Sequence, residues 1–175
     1  MAFDAYMSIL FAQRSMIMVS SAGRRRATKV GEPPFDYVHL FRAAPAERIS
    51  VIRAGISASD LKRFGVELQL DQQVMFDALN LKTATVNRKA ARNEALSIED
   101  SERVVGLVKL VGQLEAMVEE SGDPAGFDAP EWLSRWLREP LPALDGDKPI
   151  NLLDTMEGQA LVARALAQMQ SGAYA

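Results

Sequence analysis

Basic and polar side chains are concentrated between residues 82 and 92 of this sequence of 175 residues. These residue types can recognise DNA, because threonine can contact thymine or a phosphate, asparagine can pair with adenine, and arginine can bind guanine or a phosphate. We predict that the residues that contact DNA are Lys82, Thr83, Thr85, Asn87, Arg88, Lys89 and Arg92.

Two short helices are predicted to hold these side chains in place. Asp71 can cap the first helix, whose inward-facing residues are predicted to be Val74, Met75 and Leu79. Asn80 suits a tight turn, since asparagine tolerates a left-handed backbone. The second helix is predicted to begin near Thr83 and to end near Ala95. Helices joined in this way form a helix-turn-helix, which places its second helix in the major groove of DNA.

A plain helical hairpin with a solvated basic face is the alternative for this segment, and the pattern alone favours neither structure. The net charge of −3 argues against nonspecific coating of nucleic acid but permits one local basic surface. Residues 1–118 hold 16 basic and 13 acidic side chains, whereas residues 119–175 hold 4 basic and 10 acidic ones. The C-terminal part of the chain therefore suits a basic partner.

One further helix is predicted on each side of this pair. The upstream helix can be capped by Ser57 or Ser59, and it buries Leu61, Phe64 and Leu68. The long downstream helix begins at Ser97 and ends at residues 121–124. Its apolar stripe consists of Val104, Leu107, Val108, Val111, Leu114 and Val118. This stripe can form the core of the protein, or it can pack against a second copy of the chain.

The sequence argues against enzymatic chemistry. Its single histidine, His39, lies among apolar and aromatic residues and is expected to be packed or solvent-facing. Cysteine is absent, which excludes disulfides and cysteine-bound zinc and agrees with the reducing cytosol. Neither a P-loop nor a dinucleotide-binding glycine motif is present. We therefore expect a cytoplasmic protein with no catalytic residue, no metal site and no cofactor.

Residues 1–45 are predicted to form an N-terminal extension and a basic linker. The apolar stretch between Phe3 and Val19 is interrupted by polar residues, and it falls short of the roughly eighteen apolar residues that span a membrane. The basic residues 24–26 follow this stretch, whereas a signal peptide carries its positive charge first. We expect a short amphipathic helix, upstream of a natural start at Met16 or Met18. The alternative is a basic arm that touches DNA phosphates.

Apolar helices and turn-forming residues alternate in about the last forty residues. An amphipathic helix is predicted to start at Asp128 or Pro130 and to bury Trp132, Leu133, Trp136 and Leu137. Pro140 prevents its continuation, Gly146 suits a turn with a positive φ, and Pro149 can begin a short helix.

The last predicted helix can be capped by Thr155. Its inward face is predicted to consist of Leu161, Val162, Ala165, Leu166 and Met169. Gly158 costs this helix about 1 kcal/mol relative to alanine, which indicates that another backbone approaches it closely.

These motifs resemble those of a known family. The order Trp136-Leu137-x-x-Pro140, Leu144-x-Gly146-x-x-Pro149 and Leu152-Leu153-x-Thr155-x-x-Gly158 resembles the C-terminal toxin-binding domain of the Xre/MbcA/ParS antitoxins, over about residues 130–175. The segment Leu79-Asn80-Leu81-Lys82-x-x-Thr85-Val86-x-Arg88 resembles the Xre helix-turn-helix that precedes that domain. This chain differs from the usual family pattern at three positions. Asn80 and Asp145 replace glycines, and Lys82 replaces a small capping hydroxyl.

The resemblance implies an all-α fold in which a helix-turn-helix bundle is joined by a long helix to a small helical toxin-binding domain. The domain boundaries would be 46–121 and 122–175. It also implies an antitoxin that binds a RES-type toxin, or a related ADP-ribosyltransferase-like enzyme, and covers its NAD⁺ pocket. The residues expected at the toxin are Trp136, Ser171, Gly172, Ala173, Tyr174 and Ala175. We further expect a homodimer, a complex with the toxin, and autoregulation through operator DNA.

Two other functions remain compatible with the sequence. One is a stand-alone helix-turn-helix regulator that dimerises through its C-terminal domain and has no toxin. The other is a protein-interaction adaptor that has lost DNA binding, which Lys82 and the acidic net charge would favour. A toxin reading frame next to the gene would distinguish an antitoxin from both.

Overall fold

The computed structural model describes residues 33–121 and 126–170, and these residues form helices without a strand. The all-α prediction is therefore confirmed. The α-helices are α1 (Tyr37–Arg42), α2 (Pro45–Ala54), α3 (Ala58–Glu67), α4 (Gln72–Ala78), α5 (Thr83–Ala91), α6 (Ile98–Ser121), α7 (Ala129–Trp136) and α8 (Met156–Gln170). Two 3-10 helices, Pro142–Leu144 and Pro149–Leu152, connect α7 to α8. The predictions on residues 1–32, 122–125 and 171–175 lie outside the described residues.

The long helix α6 lies at the centre of the protein. Ser97 caps it, since its hydroxyl accepts a hydrogen bond from the backbone N–H of Asp100 at 3.1 Å, as predicted. Helices α1, α2, α7 and α8 all pack against α6. Every residue of the predicted apolar stripe is buried within this one chain, so the stripe forms the core rather than a contact with a second copy.

Two glycines of α6 allow its neighbours to approach closely. A Cβ atom at Gly112 would overlap the backbone carbonyl of Tyr37, at the start of α1. A Cβ atom at Gly106 would overlap the side-chain amide of Gln159 in α8. The Gln159 side chain is buried, and its Nε2 donates to the backbone carbonyl of Arg103 at 3.0 Å. These contacts fix α1 and α8 against α6.

The turns and caps of the C-terminal module, described here for residues 126–170, follow the predicted chemistry. The Asp128 carboxylate accepts from the N–H of Glu131 at 2.9 Å at the start of α7. Thr155 caps α8 by accepting from the N–H of Gly158 at 3.1 Å. A Cβ atom at Gly158 would overlap the carbonyl of Leu152, so the predicted close approach of a second backbone is confirmed.

Four sequence predictions about local structure are wrong. Val74 is 42% exposed and Leu161 is 39% exposed, although both were expected to face inward. Val74 lies in the first turn of α4, where the next two residues already fill the core. Helix α5 ends at Ala91 rather than near Ala95. Helix α1 lies in the stretch predicted as a linker, because its six residues are too few to show a helical period.

Carboxylates from several helices converge where α1, α3 and α6 meet. The buried Tyr37 hydroxyl donates a hydrogen bond to the Glu67 carboxylate of α3, and burial together with this bond raises the pKa of Tyr37 above its usual value. Burial also raises the pKa of Glu115 in α6 to about 7. The negative charges of further carboxylates add to that shift, and these are Glu119, Asp36, Asp128 and Glu67.

We expect Gly112→Ala to destabilise the protein by roughly 1–3 kcal/mol or more, because the new methyl group must displace the α1 backbone. Gly65→Ala is the matched control, since its Cβ would meet only the flexible end of Met75 at 2.9 Å. Urea unfolding followed by circular dichroism measures both. Equal losses for the two variants would contradict the role of the Gly112 contact.

We expect Glu115→Gln to stabilise the protein at about pH 8 and to have little effect at about pH 4. The ordinary pKa of glutamate is 4.5, so the folded state binds more protons between that value and about 7. Folding stability therefore falls as pH rises through this window, and ionised Glu115 destabilises the fold above it. Thermal melts at both pH values test this expectation. Glu102→Gln, at an exposed position of α6, is the control. The same gain for Glu115→Gln at both pH values would contradict the prediction.

Candidate DNA-binding and toxin-binding surfaces

Helices α4 and α5 form the predicted helix-turn-helix geometry. Asp71 caps α4 by accepting from the N–H groups of Gln73 at 2.8 Å and Val74 at 3.2 Å. Asn80 has a φ of 50°, so the predicted left-handed turn residue is confirmed. Val86 of α5 is buried, and α5 packs on α3. This packing leaves the opposite side of α5 open to solvent.

The predicted DNA-contacting residues all retain some exposure. Arg88 follows the buried Val86 by two residues, which is just over half a helical turn, so Arg88 points away from the side that Val86 buries. The exposed members of the set are Lys82, Asn87, Arg88 and Arg92, and the partly buried ones are Thr83, Thr85 and Lys89. The α5 surface therefore has the side chains that could reach bases and phosphates.

Contacts within the protein distinguish the cations on this surface. Lys89 donates to the backbone carbonyl of Ala95 at 2.7 Å, and Arg92 lies 3.9 Å from the Glu94 carboxylate. Arg88 has no ion pair within residues 33–121 and 126–170. Of the α5 arginines and lysines, Arg88 is thus the one whose charge is most available to an anionic partner.

Two residues of this surface were not predicted from the sequence. Lys62 of α3 donates to the Asn87 Oδ1 atom at 3.2 Å, and Gln73 of α4 accepts a hydrogen bond from the Thr83 hydroxyl at 2.9 Å. The Lys62–Asn87 bond joins residues 25 positions apart in the chain, and the Gln73–Thr83 bond joins residues 10 positions apart. Helical periodicity holds no signal for such pairs, because they depend on how separate helices pack.

The predicted toxin-binding residues fall into two groups. The tail at residues 171–175 lies outside the described part of the chain, directly after α8. Trp136 is only 4% exposed and stacks on Trp132 with a centroid distance of 6.1 Å. The Trp136 side chain thus belongs to the core of the C-terminal module, and its contact with a toxin stays a prediction.

The outer face of α8 is the more accessible surface of this module. Leu161 and Met156 are the large apolar side chains that the described part of the module exposes, at 39% and 42%. Arg164 is also exposed, one turn after Leu161. Sequence analysis placed Leu161 on the same inward face as Val162, but only Val162 is buried.

His39 was predicted to be either packed or solvent-facing, and the structure shows it facing solvent. Its Nε2 atom lies 2.9 Å from the Glu47 carboxylate. Among residues 33–121 and 126–170, no group of three or more His, Asp or Glu side chains is arranged to hold a metal ion. Within the same ranges, no helix is both long and apolar enough to span a membrane.

Comparison with known proteins agrees with this architecture. Residues 47–109 match the antitoxin Xre-like helix-turn-helix domain, and residues 113–172 match the antitoxin Xre/MbcA/ParS C-terminal toxin-binding domain. A protein of Sphingobium sp. (strain YBL2) named Prs ADP-ribosylating antitoxin is 71% identical over 153 residues, which cover 87% of this chain and 96% of that protein. The resemblance seen in the sequence is confirmed, and the chain belongs to the Xre/MbcA/ParS family of antitoxins, with an Xre-like helix-turn-helix domain before its toxin-binding domain.

Proposed function

We propose that this antitoxin neutralises a RES-type toxin with NAD⁺-dependent ADP-ribosyltransferase chemistry by binding it directly and covering its NAD⁺ pocket. The observation that carries the proposal is the match of residues 113–172 to a toxin-binding domain. The name of the 71% identical relative, a Prs ADP-ribosylating antitoxin, supports ADP-ribosylation as the toxin's reaction. The antitoxin acts in the cytosol and contributes no catalytic step of its own.

Helix α8 provides a rigid support for toxin binding. Its inner face is fixed on α6 by Gln159 and by Gln113, whose Nε2 donates to the carbonyl of Ala163 at 2.9 Å. Its outer face leaves Leu161 and Met156 partly exposed. Burial of exposed apolar side chains against a partner is favourable, since it removes apolar surface from water. We assign the first contact with the toxin to this face and the blocking of the NAD⁺ pocket to residues 171–175.

Charge favours the same partner. Residues 119–175 contain 10 acidic and only 4 basic side chains. A pocket that binds the pyrophosphate of NAD⁺ needs positive charge, so an acidic module is complementary to its surroundings. This complementarity accelerates association, and it weakens as salt is added.

The helix-turn-helix serves autoregulation under this proposal. Exposed Arg88 and Lys82 stand where α5 would enter the major groove of operator DNA. Operators read by helix-turn-helix proteins usually contain paired half-sites, which a homodimer matches. We propose that the antitoxin dimer, alone or with toxin bound, represses its own operon.

Loss of either part of the toxin-binding surface is expected to weaken neutralisation. Deletion of residues 172–175 should leave the toxin partly active, and Leu161→Asp should lower the affinity of the complex because it buries a charge. Both variants should fold, since Leu161 is partly exposed and the tail follows α8. Co-expression with the toxin of the neighbouring reading frame, followed by purification and an NAD⁺-consumption assay, measures the effect.

Val74→Asp is the matched control for the substitution, because Val74 is 42% exposed but lies in α4 of the helix-turn-helix. Its complex with the toxin should match that of the unmodified chain. Full inhibition of the toxin by both the tail deletion and Leu161→Asp would refute the proposed surface. Failure of the unmodified chain to bind any such toxin would refute the proposed function.

We expect Arg88→Ala to weaken binding to operator DNA and to lower the slope of log affinity against log salt by about 1, the loss of one phosphate contact. Arg92→Ala should act in the same direction. Arg164→Ala removes an exposed arginine from α8 and should change neither quantity. Fluorescence anisotropy over a salt series provides both values. An unchanged slope together with altered base preference would reassign Arg88 from phosphate to guanine contact.

A further inference from the structure

The DNA-reading helix α5 starts without the cap that other helices of this protein have. Ser57, Asp71 and Asp128 each accept a backbone N–H bond at the start of α3, α4 and α7. Lys82 occupies the corresponding position of α5, and its side chain makes no capping hydrogen bond. An uncapped helix start frays easily, because its first N–H groups lack partners. Another interaction has to fix the beginning of α5.

A hydrogen-bonded chain of side chains from α4 supplies this interaction. The Thr83 hydroxyl donates to Gln73 Oε1 at 2.9 Å, and Gln73 Nε2 donates to Asp77 Oδ1 at 2.7 Å. The backbone N–H of Gln73 is itself held by Asp71 at 2.8 Å. Gln73 is thus anchored at its backbone and at both ends of its amide group.

The direction of each bond in this chain follows from the groups involved. An ionised Asp77 carboxylate can only accept, so the amide nitrogen of Gln73 must face it. The amide oxygen of Gln73 is then left for Thr83, whose hydroxyl must donate its single proton to it. A charged acceptor at one end also strengthens the chain relative to an isolated neutral bond.

We propose that Gln73 is a positioning residue that fixes Thr83, and with it the start of α5, before DNA is bound. This inference rests on the proposed DNA-binding function. The hydroxyl proton of Thr83 is committed to Gln73, so Thr83 cannot donate a hydrogen bond to a phosphate. Thr83 presents its methyl group and an oxygen lone pair instead, which suits a thymine methyl or a base amino group. Thr83 therefore contributes to sequence preference rather than to general affinity.

Binding to the chain's own promoter duplex and to a scrambled duplex, over a salt series, tests this role with the full-length protein. Gln73→Ala and Thr83→Val should each reduce the preference for the promoter about fivefold, the equivalent of roughly one hydrogen bond. The salt dependence should stay unchanged, because no phosphate contact is lost. The double variant should lose no more than either single variant, since both remove the same interaction.

Gln72→Ala is the matched control, with the same residue type at the neighbouring position of α4. Amide hydrogen exchange gives a readout that needs no DNA. The N–H groups of Thr85 and Val86 bond to the carbonyl of Lys82 at 2.9 and 3.0 Å in the first turn of α5. They should exchange faster in Gln73→Ala than in Gln72→Ala.

The proposal would be overturned if Gln73→Ala retained the preference for the promoter. It would also be overturned if the variant lost affinity equally for both duplexes and its salt dependence became weaker. Exchange rates that match those of Gln72→Ala would overturn it as well. If the unmodified chain shows no preference for its promoter, the proposed DNA binding fails. Faster exchange in Gln73→Ala would then still support the positioning of α5 by Gln73, and unchanged exchange would refute it.

Discussion

Helix α6 is covered by other helices along most of its length, and this burial is the constraint on which the protein depends. The side chains of α6 between Arg103 and Val118 are buried except for three partly exposed ones. A helix with apolar side chains on several sides is stable only where neighbouring elements cover those sides. Helices α1 and α2, which precede α6 in the chain, pack against it, and so do α7 and α8, which follow it. The helix-turn-helix and the C-terminal toxin-binding domain therefore share one core.

This shared core brings the two modules into direct contact. The 3-10 helix Pro149–Leu152 of the toxin-binding module touches α4 of the helix-turn-helix, and it also packs against α8. Gln159 locks α8 to α6 through the carbonyl of Arg103, within the part of α6 that belongs to the matched helix-turn-helix domain. Close-packed interiors transmit displacements because they have no free volume to absorb them. The 3-10 helix Pro149–Leu152 is thus packed between α8 and α4.

Local chemistry and helical periodicity predicted much of this fold. The caps at Asp71, Ser97 and Thr155 depend only on nearby residues, and the α6 stripe has the period of a buried helix. Helical periodicity gave a wrong prediction at the edge of the apolar face of α8. Leu161 lies about 100° around the helix from the buried Val162, so its exposure depends on whether a neighbour covers that side. The Gln73–Thr83 bond could not be predicted either, because it needs the packing of two helices.

The distribution of charge allows the two surfaces to be used at the same time under the proposed function. DNA phosphates repel the 10 acidic side chains of residues 119–175, which disfavours any encounter that turns the toxin-binding module towards DNA. Screening limits this effect to about 8–10 Å at physiological salt, so it selects the orientation only on close approach. At that range the exposed cations of α5 are attracted while the acidic module is not. Under the proposed function, this repulsion favours DNA-bound orientations in which the acidic module faces away from the DNA.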